Sequence, residues 1–270
     1  MPRIVVSYIK EDRVDPYLEA LALVGVPESD LLRATPMRVA DVDLGDWMRQ
    51  ADGLLLTGGA DLQPCLYGEG RNPAAHLDPP AADRDQMEWD LLSLAREQRV
   101  PVFGICRGHQ TLNVFLGGAL MQDIALETGR TGHDCFVDAG WEPGHLAHEV
   151  VPARNAHPLT AAFARYLRPL VNSRHHQAVK RIGNSLVLAA TAPDGIIEAT
   201  ASEIGAGWWL QSVQWHPENL MEMDVHRELF ERFILAARER SARKGGANLK
   251  APHGRGVESS AVTEEAGIRG

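Results

Sequence analysis

Residues 100–110 read VPVFGICRGHQ. An apolar run over residues 100–105 ends in a cysteine bracketed by Gly104 and Gly108, and a helix-like stretch begins at once. A run that is apolar at every position suits a strand buried on both faces of a parallel sheet. A structural cysteine would fit inside that run, yet Cys106 stands at its end, on a corner. Small residues on both sides are what a nucleophile on a tight strand-to-helix turn requires. The turn also sets the thiol at the amino end of the next helix, where backbone N–H groups stabilise the reactive thiolate. A cysteine packed as a small hydrophobe is the alternative reading of the same residues.

Outward from this corner, strand and helix patterns alternate. RIVVSYI (3–9) and DGLLLTGG (52–59) read as strands, and DPYLEALALVGV (15–26) carries apolar residues at helical spacing. Residues 83–98 place Met87, Leu91, Leu94 and Ala95 on one helix face, with Asp83 as the expected cap and Arg84 and Asp85 beginning the helix. Three shorter strands follow in succession: SLVLAAT (185–191), GIIEAT (195–200) and WWLQSVQW (208–215). In the last of these, Trp208 and Trp209 read as core or partly buried wall. Val225, Leu229, Phe233, Ile234 and Ala237 then mark a closing helix. The pattern predicts an α/β fold, a mostly parallel central sheet covered by helices on both faces, with a short antiparallel extension. From Lys244 the sequence is rich in Gly, Ala, Ser and charge without apolar period, so residues 1–243 are expected to form one domain and 244–270 a disordered tail.

Composition narrows the function. The chain has 270 residues, 44% hydrophobic, enough for one sizeable core. A formal charge of -9 and a pI near 5.7 give no basic footprint for nucleic acid or an anionic membrane. Cys65, Cys106 and Cys135 are odd in number and scattered, forming neither a disulfide framework nor a CxxC metal pair. With no secretory signal pattern and no bilayer-length apolar run, a reducing cytoplasmic location is expected.

A cysteine nucleophile needs a base, and eleven histidines are available. His216 stands out in SVQWHPE, where Pro217 biases it toward an extended backbone and Glu218, two residues on, would share its face. A carboxylate so placed can fix the imidazole tautomer and stabilise the imidazolium. Read locally, HPE fits an ordinary loop after a strand, with His216 solvated, somewhat better than a catalytic base. The Gly58–Gly59 turn in LLLTGGADLQP lets the backbone approach a substrate and offer an N–H to an oxyanion, with the N–H of Arg107 as second donor.

Together, GICRGHQTLNVFLGGALMQDI, LLLTGGADLQPCLYGE, VNSRHHQAV, APDGIIEA and VQWHPE resemble the class I glutamine amidotransferase superfamily. More closely they resemble its free-standing γ-glutamyl-γ-aminobutyrate hydrolase branch, peptidase C26-like, over residues 1 to about 240. The resemblance implies a flavodoxin-like sheet and a cysteine hydrolase with no cofactor and no metal. It assigns Cys106 as nucleophile, His216 as base and Glu218 as the residue orienting it. It assigns Gly59 and Arg107 as oxyanion donors and Gln110 as a substrate contact, which its place one helical turn beyond the nucleophile also favours. Through the NSRHHQ stretch it places His175 along the pocket. The implied substrate is a small γ-glutamyl amide, cleaved through a glutamyl thioester in putrescine catabolism. A glutaminase subunit delivering ammonia to a separate synthase uses the same chemistry, and a non-catalytic relative is a third class, disfavoured by the complete triad. QPCLYGE after the glycine turn, Ala60 and Arg107 favour the hydrolase, as does the expectation of a single domain. The segment 130–144 departs from the family pattern and leaves the amine open; the oligomeric state, a homodimer among the options, is open too. Cys65 and Cys135 lack the corner setting and read as passive. His175 and His176, and His145 and His148, are spaced for chelation, but neither pair brings a third ligand in sequence.

Overall fold

In the computed structural model, which describes residues 1–155 and 157–248, apolar runs of four residues pair in parallel to form the centre of the molecule. Strand β1 (Ile4–Ser7) leads through helix α1 (Asp15–Leu23) to β2 (Leu31–Ala34), and the short helices α2 (Pro36–Val39) and α3 (Leu44–Gln50) lead to β3 (Gly53–Leu56). Helix α4 (Ala82–Gln98) precedes β4 (Val102–Ile105), and α5 (Arg107–Phe115) follows it after one residue. Next come β5 (Ala119–Met121), α6 (Ile124–Thr128), β6 (His148–Glu149), β7 (Val151–Pro152), α7 (Pro158–Arg165) and β8 (Leu170–Val171). The chain continues through β9 (Ala178–Arg181), β10 (Leu186–Thr191), β11 (Ile197–Ser202) and β12 (Leu210–Val213) to α8 (Asp224–Asn248).

The main sheet runs β2-β1-β3-β4-β12-β11-β10-β7. Its first five strands are parallel, in the flavodoxin-like arrangement, and β11, β10 and β7 extend it antiparallel. β9 bridges β11 to β5, also antiparallel. Alternation along the strands fills two cores. Leu54, Leu56 and Val102 pack with Met87, Leu91, Leu92 and Ala95 of α4, whereas Leu55, Phe103 and Ile105 pack on the other face with Leu21 of α1 and Phe230 and Phe233 of α8. Burial on both faces is why these runs show no polar alternation.

Two local expectations are corrected. Helix α4 starts after Ala81, which makes no side-chain cap bond, so Asp83 lies within the first turn instead of capping it. The closing helix passes the expected boundary at residue 243 and continues to Asn248, through Gly245 and Gly246. Its continuation has a tether: the Lys244 ammonium bonds Asp52 at 2.8 Å and the carbonyls of Gln50 and Ala51 at 3.1 Å, where α3 ends. The remainder of the expected tail, 249–270, lies outside the described residues. Trp208 is buried and Trp209 partly so, as expected. Among the described residues no helix is long and apolar enough to cross a membrane.

Candidate active site

The register of three adjacent parallel strands assembles the site. Leu56 of β3 and Ser212 of β12 both sit beside Gly104 of β4. The segments leaving their carboxyl ends therefore emerge together: Thr57–Gly59, Cys106, and Gln214–His216. This is the edge at which open α/β sheets bind ligands.

Cys106 caps α5 with φ 52° and ψ -106°, a conformation few non-glycine residues adopt. The flanking glycines are required by contact. A β-carbon on Gly104 would lie 2.5 Å from the Gly108 carbonyl oxygen, and one on Gly108 would lie 2.2 Å from that of Leu56. The thiol is nearly buried, 6% exposed, and close enough to the His216 imidazole to raise that ring's affinity for a proton. Gln214 Nε2 lies 3.7 Å from its sulfur.

His216 is held from both sides of its backbone by Asn172, whose amide accepts from its N–H at 2.8 Å and donates to its carbonyl at 3.0 Å. Its ring Nδ1 lies 2.6 Å from Glu218 Oε1 and 3.3 Å from the Tyr17 hydroxyl. Burial opposes charge on the ring, but Glu218 and Cys106 outweigh it and push His216 up to about 9. The expected contact with Glu218 is thus present, though not for the expected reason. Pro217–Asn219 form a 3-10 turn, and the turn, not an extended strand, brings the carboxylate back to the ring.

The glycine turn and Arg107 meet over a buried ionic cluster that the sequence did not reveal. Arg84 donates to the carbonyls of Thr57 and Gly58 at 3.0 Å each and to Glu88 at 2.9 Å. Arg107 pairs with Asp85 and Glu88, and Ser7 donates to Glu88. Burial works against the Glu88 charge, but the two guanidiniums prevail and hold its carboxyl well below the usual range. Because Arg84 holds the Gly58 carbonyl, the N–H of Gly59, across the same planar peptide, points the opposite way. Gly59 has φ 155°, and a β-carbon there would lie 2.1 Å from Arg84 Nη1. Among the described residues neither its N–H nor that of Arg107, the first residue of α5, has a hydrogen-bond partner. The Gly58 N–H, by contrast, is taken by Tyr17 at 3.0 Å.

Of the expected substrate contacts, Gln110 is buried and donates to Gln177 O and Gln214 Oε1, both at 3.2 Å, so it braces the amide beside the thiol. His175 bonds Gln177 O at 2.9 Å through Nδ1 and turns Nε2 to Glu198, so neither ring nitrogen joins the triad. Cys65 is exposed and Cys135 intermediate, both as free thiols. The sequence reading missed Tyr17, Asn172, Gln214, Arg84 and Glu88. Asn172 and Gln214 lie in the VNSRHHQAV and SVQWHPE stretches and were within reach; Tyr17 gave no signal. Two cavities flank the Asp61–His176 pair. One is lined by Asp61, Gln63, Glu69 and Arg71, the other by Asp123, Arg130, His133 and His176.

A parallel α/β sheet with a cysteine at its strand-to-helix corner, and a histidine arriving from the next strand, defines the glutamine amidotransferase-like class. Residues 31–218 match Peptidase C26, and the chain belongs to this family. It is 35% identical over 197 residues to the gamma-glutamyl-gamma-aminobutyrate hydrolase PuuD of Escherichia coli K12, covering 72% of this chain and 74% of that protein. It is 35% identical over 187 residues to a protein of Mycobacterium tuberculosis provisionally named a glutamine amidotransferase, covering 69% of this chain and 57% of its relative's length. The fold also matches a crystal structure from Thermoplasma acidophilum, of a protein provisionally described as part of a GMP synthase. That match has a TM-score of 0.60 and 17% identity, covering 91% of this chain and 98% of the other.

Proposed function

We propose that this chain is a free-standing cysteine hydrolase of γ-glutamyl amides, with Cys106, His216 and Glu218 as its triad. The observation that carries the reading is the thiol on its constrained corner, facing a braced imidazole and flanked by two N–H groups without partners. The Cys106 sulfur, as a thiolate whose proton rests on His216, attacks the γ-carbonyl carbon, and the N–H groups of Gly59 and Arg107 take up the charge on its oxygen. His216, protonated at neutral pH, gives its proton to the leaving nitrogen as the C–N bond breaks, leaving a glutamyl thioester and free amine. Water, deprotonated by the now neutral His216, attacks the thioester carbonyl; the C–S bond breaks and glutamate leaves. No step requires a cofactor, and a reducing compartment such as the cytoplasm suits a nucleophilic thiol.

The favoured substrate is γ-glutamyl-γ-aminobutyrate or a similar amine, by similarity to the E. coli hydrolase. Arg130, on the wall of the second cavity, is a candidate for the far carboxylate. One such charged contact is worth about 1.5–3 kcal/mol, a factor of roughly ten to a hundred and fifty over glutamine. Steady-state kinetics of the isolated chain on the two substrates test this. Equal or better use of glutamine, or activity only with an added synthase, would favour the ammonia-delivering role.

A further inference from the structure

Away from the triad, three segments of chain converge on one carboxylate carried by a fourth. Glu198, in β11, is fully buried, and its Oε1 lies 3.5 Å from His133 Nδ1, 3.6 Å from His175 Nε2 and 3.6 Å from His148 Nε2. The donor atoms of His133, His175 and Glu198 all lie within 4.8 Å of one another. His133 and His175 are as buried as the carboxylate requires, at 4% and 3% exposed.

The outer nitrogens of the three rings decide what the inner ones present. His133 Nε2 lies 3.1 Å from an Asp194 carboxylate oxygen, His175 Nδ1 2.9 Å from Gln177 O, and His148 Nδ1 3.1 Å from Glu149 O. All three partners only accept, so each outer nitrogen carries the hydrogen, and in a neutral imidazole the other nitrogen is then a bare lone pair. Ser173 Oγ lies 3.5 Å from His133 Nδ1, but its hydrogen goes to His133 O at 2.9 Å. With the three rings neutral, three lone pairs and a carboxylate face one another with no hydrogen between them. Both Glu198 oxygens and the inner nitrogens of His148 and His175 lack hydrogen-bond partners among the described residues. A buried carboxylate without a cation is costly.

We propose that His133, His175 and Glu198, with His148 as fourth ligand, bind a divalent transition-metal ion of the zinc type. Bonds of 2.0–2.1 Å at a tetrahedral ion set ligand atoms roughly 3.3–3.4 Å apart. The three spacings to Glu198 exceed this by only about 0.2 Å; the histidines must draw in further, His148 most, since it lies outside the group whose donor atoms are all within 4.8 Å of one another. Imidazole and carboxylate donors suit zinc and its neighbours, and hydrogen-bonded outer nitrogens are the usual support of metal-bound histidines. The cavity lined by Arg130, His133 and His175 provides entry. Four protein ligands make a closed site, hence a structural one. It ties the loop carrying His133 to β6, β11 and the approach to β9. It also fixes Gln177, whose carbonyl receives both His175 and Gln110 beside the catalytic corner. This departs from the metal-free chain expected from the sequence, and it stands independently of the hydrolase reading. The rival is a shared proton: burial disfavours charge on His133, but Glu198 and Asp194 together raise its affinity for a proton.

The test is metal analysis of the full chain, purified without a histidine tag, stripped with a chelator and titrated with Zn²⁺ or Co²⁺. Expected are one equivalent bound, visible Co²⁺ bands of a four-coordinate ion, and a higher melting temperature with metal. Glu198→Gln and His175→Gln should weaken binding by about a hundredfold or more, and Asp194→Asn, which leaves all four ligands, by roughly ten- to a hundredfold. Cys106→Ala should bind metal as the wild type does. If Glu198→Gln fails to fold, Asp194→Asn carries the test. Affinity of the stripped wild type weaker than about 10 μM, or unchanged in these cluster variants, would overturn the site and leave the shared proton.

Discussion

Replacing Glu218 by glutamine removes one negative charge from a buried pair whose atoms lie 2.6 Å apart, while keeping shape and hydrogen-bonding capacity. With charge centres about 4 Å apart and an effective dielectric near 20, the carboxylate favours the imidazolium by roughly 4 kcal/mol. Arg174, 3.7 Å from the same carboxylate oxygen, offsets part of this. The remainder accounts for a ring pushed up to about 9 despite its burial. In Glu218→Gln, burial acts with less opposition, and the ring is expected to titrate near or below the ordinary value of 6.5. If the protonated ring is the form that serves the leaving amine, the alkaline limb of the kcat/KM profile should move from about 9 to about 6–7. The rate at the new optimum should fall by about 10²–10⁴, since a lost orienting carboxylate typically costs that order while leaving turnover measurable. The assay is glutamate release across pH 5–10 at fixed ionic strength. A slower variant with an unmoved alkaline limb would refute the electrostatic role of Glu218, and wild-type turnover would remove it from the site.

Cys106→Ala should lose turnover and the glutamyl adduct seen by intact mass, whereas Cys65→Ala and Cys135→Ala keep both; an active Cys106→Ala would end the cysteine mechanism. Gly59→Ala forces a β-carbon to 2.1 Å from Arg84, so kcat should fall by about 10²–10³ with KM little changed, as for loss of one oxyanion donor. The hydrogen bond to Asp61 raises His176 to about 9 from 6.5. That pair's stabilisation is therefore complete below pH 6.5 and lost as pH rises through 9, at most roughly 1–2 kcal/mol after solvent screening. Denaturant titrations at pH 6 and 10 should show that loss, and Asp61→Asn should reduce it.

What the sequence disclosed was local, and what it hid was distant. The run ending at Cys106 was legible because double-sided burial makes a strand apolar throughout, and because two backbone contacts leave only glycine at 104 and 108. Glu218 was found through proximity in sequence, although a 3-10 turn and not an extended strand delivers it. Tyr17 meets His216 across 199 residues, and Gln214 meets Cys106 across 108, distances that no periodicity reports. The Glu198 cluster failed for a related reason. Each close histidine pair contributes one member to it, His175 from one and His148 from the other, so reading the pairs as chelates missed the partners that folding supplies. The boundary expected at residue 243 rested on local composition, whereas Lys244 bonded to the end of α3 is a tertiary contact.

Arg107 ties these levels together. Its backbone N–H opens on the site, and its side chain is buried in the ion cluster with Asp85 and Glu88. Glu88 in turn receives Arg84, which fixes the peptide carrying the Gly59 N–H. Both proposed oxyanion donors are thus anchored to one carboxylate, and their separation is set by the length of the Arg84–Glu88–Arg107 chain instead of by the flexible glycine turn. Donors fixed in this way need not reorganise when charge develops on the substrate oxygen, the condition under which such groups accelerate a reaction most. On the proposed mechanism, an arginine immediately after the nucleophile therefore serves less through its charge at the substrate than through the anchoring of its own backbone.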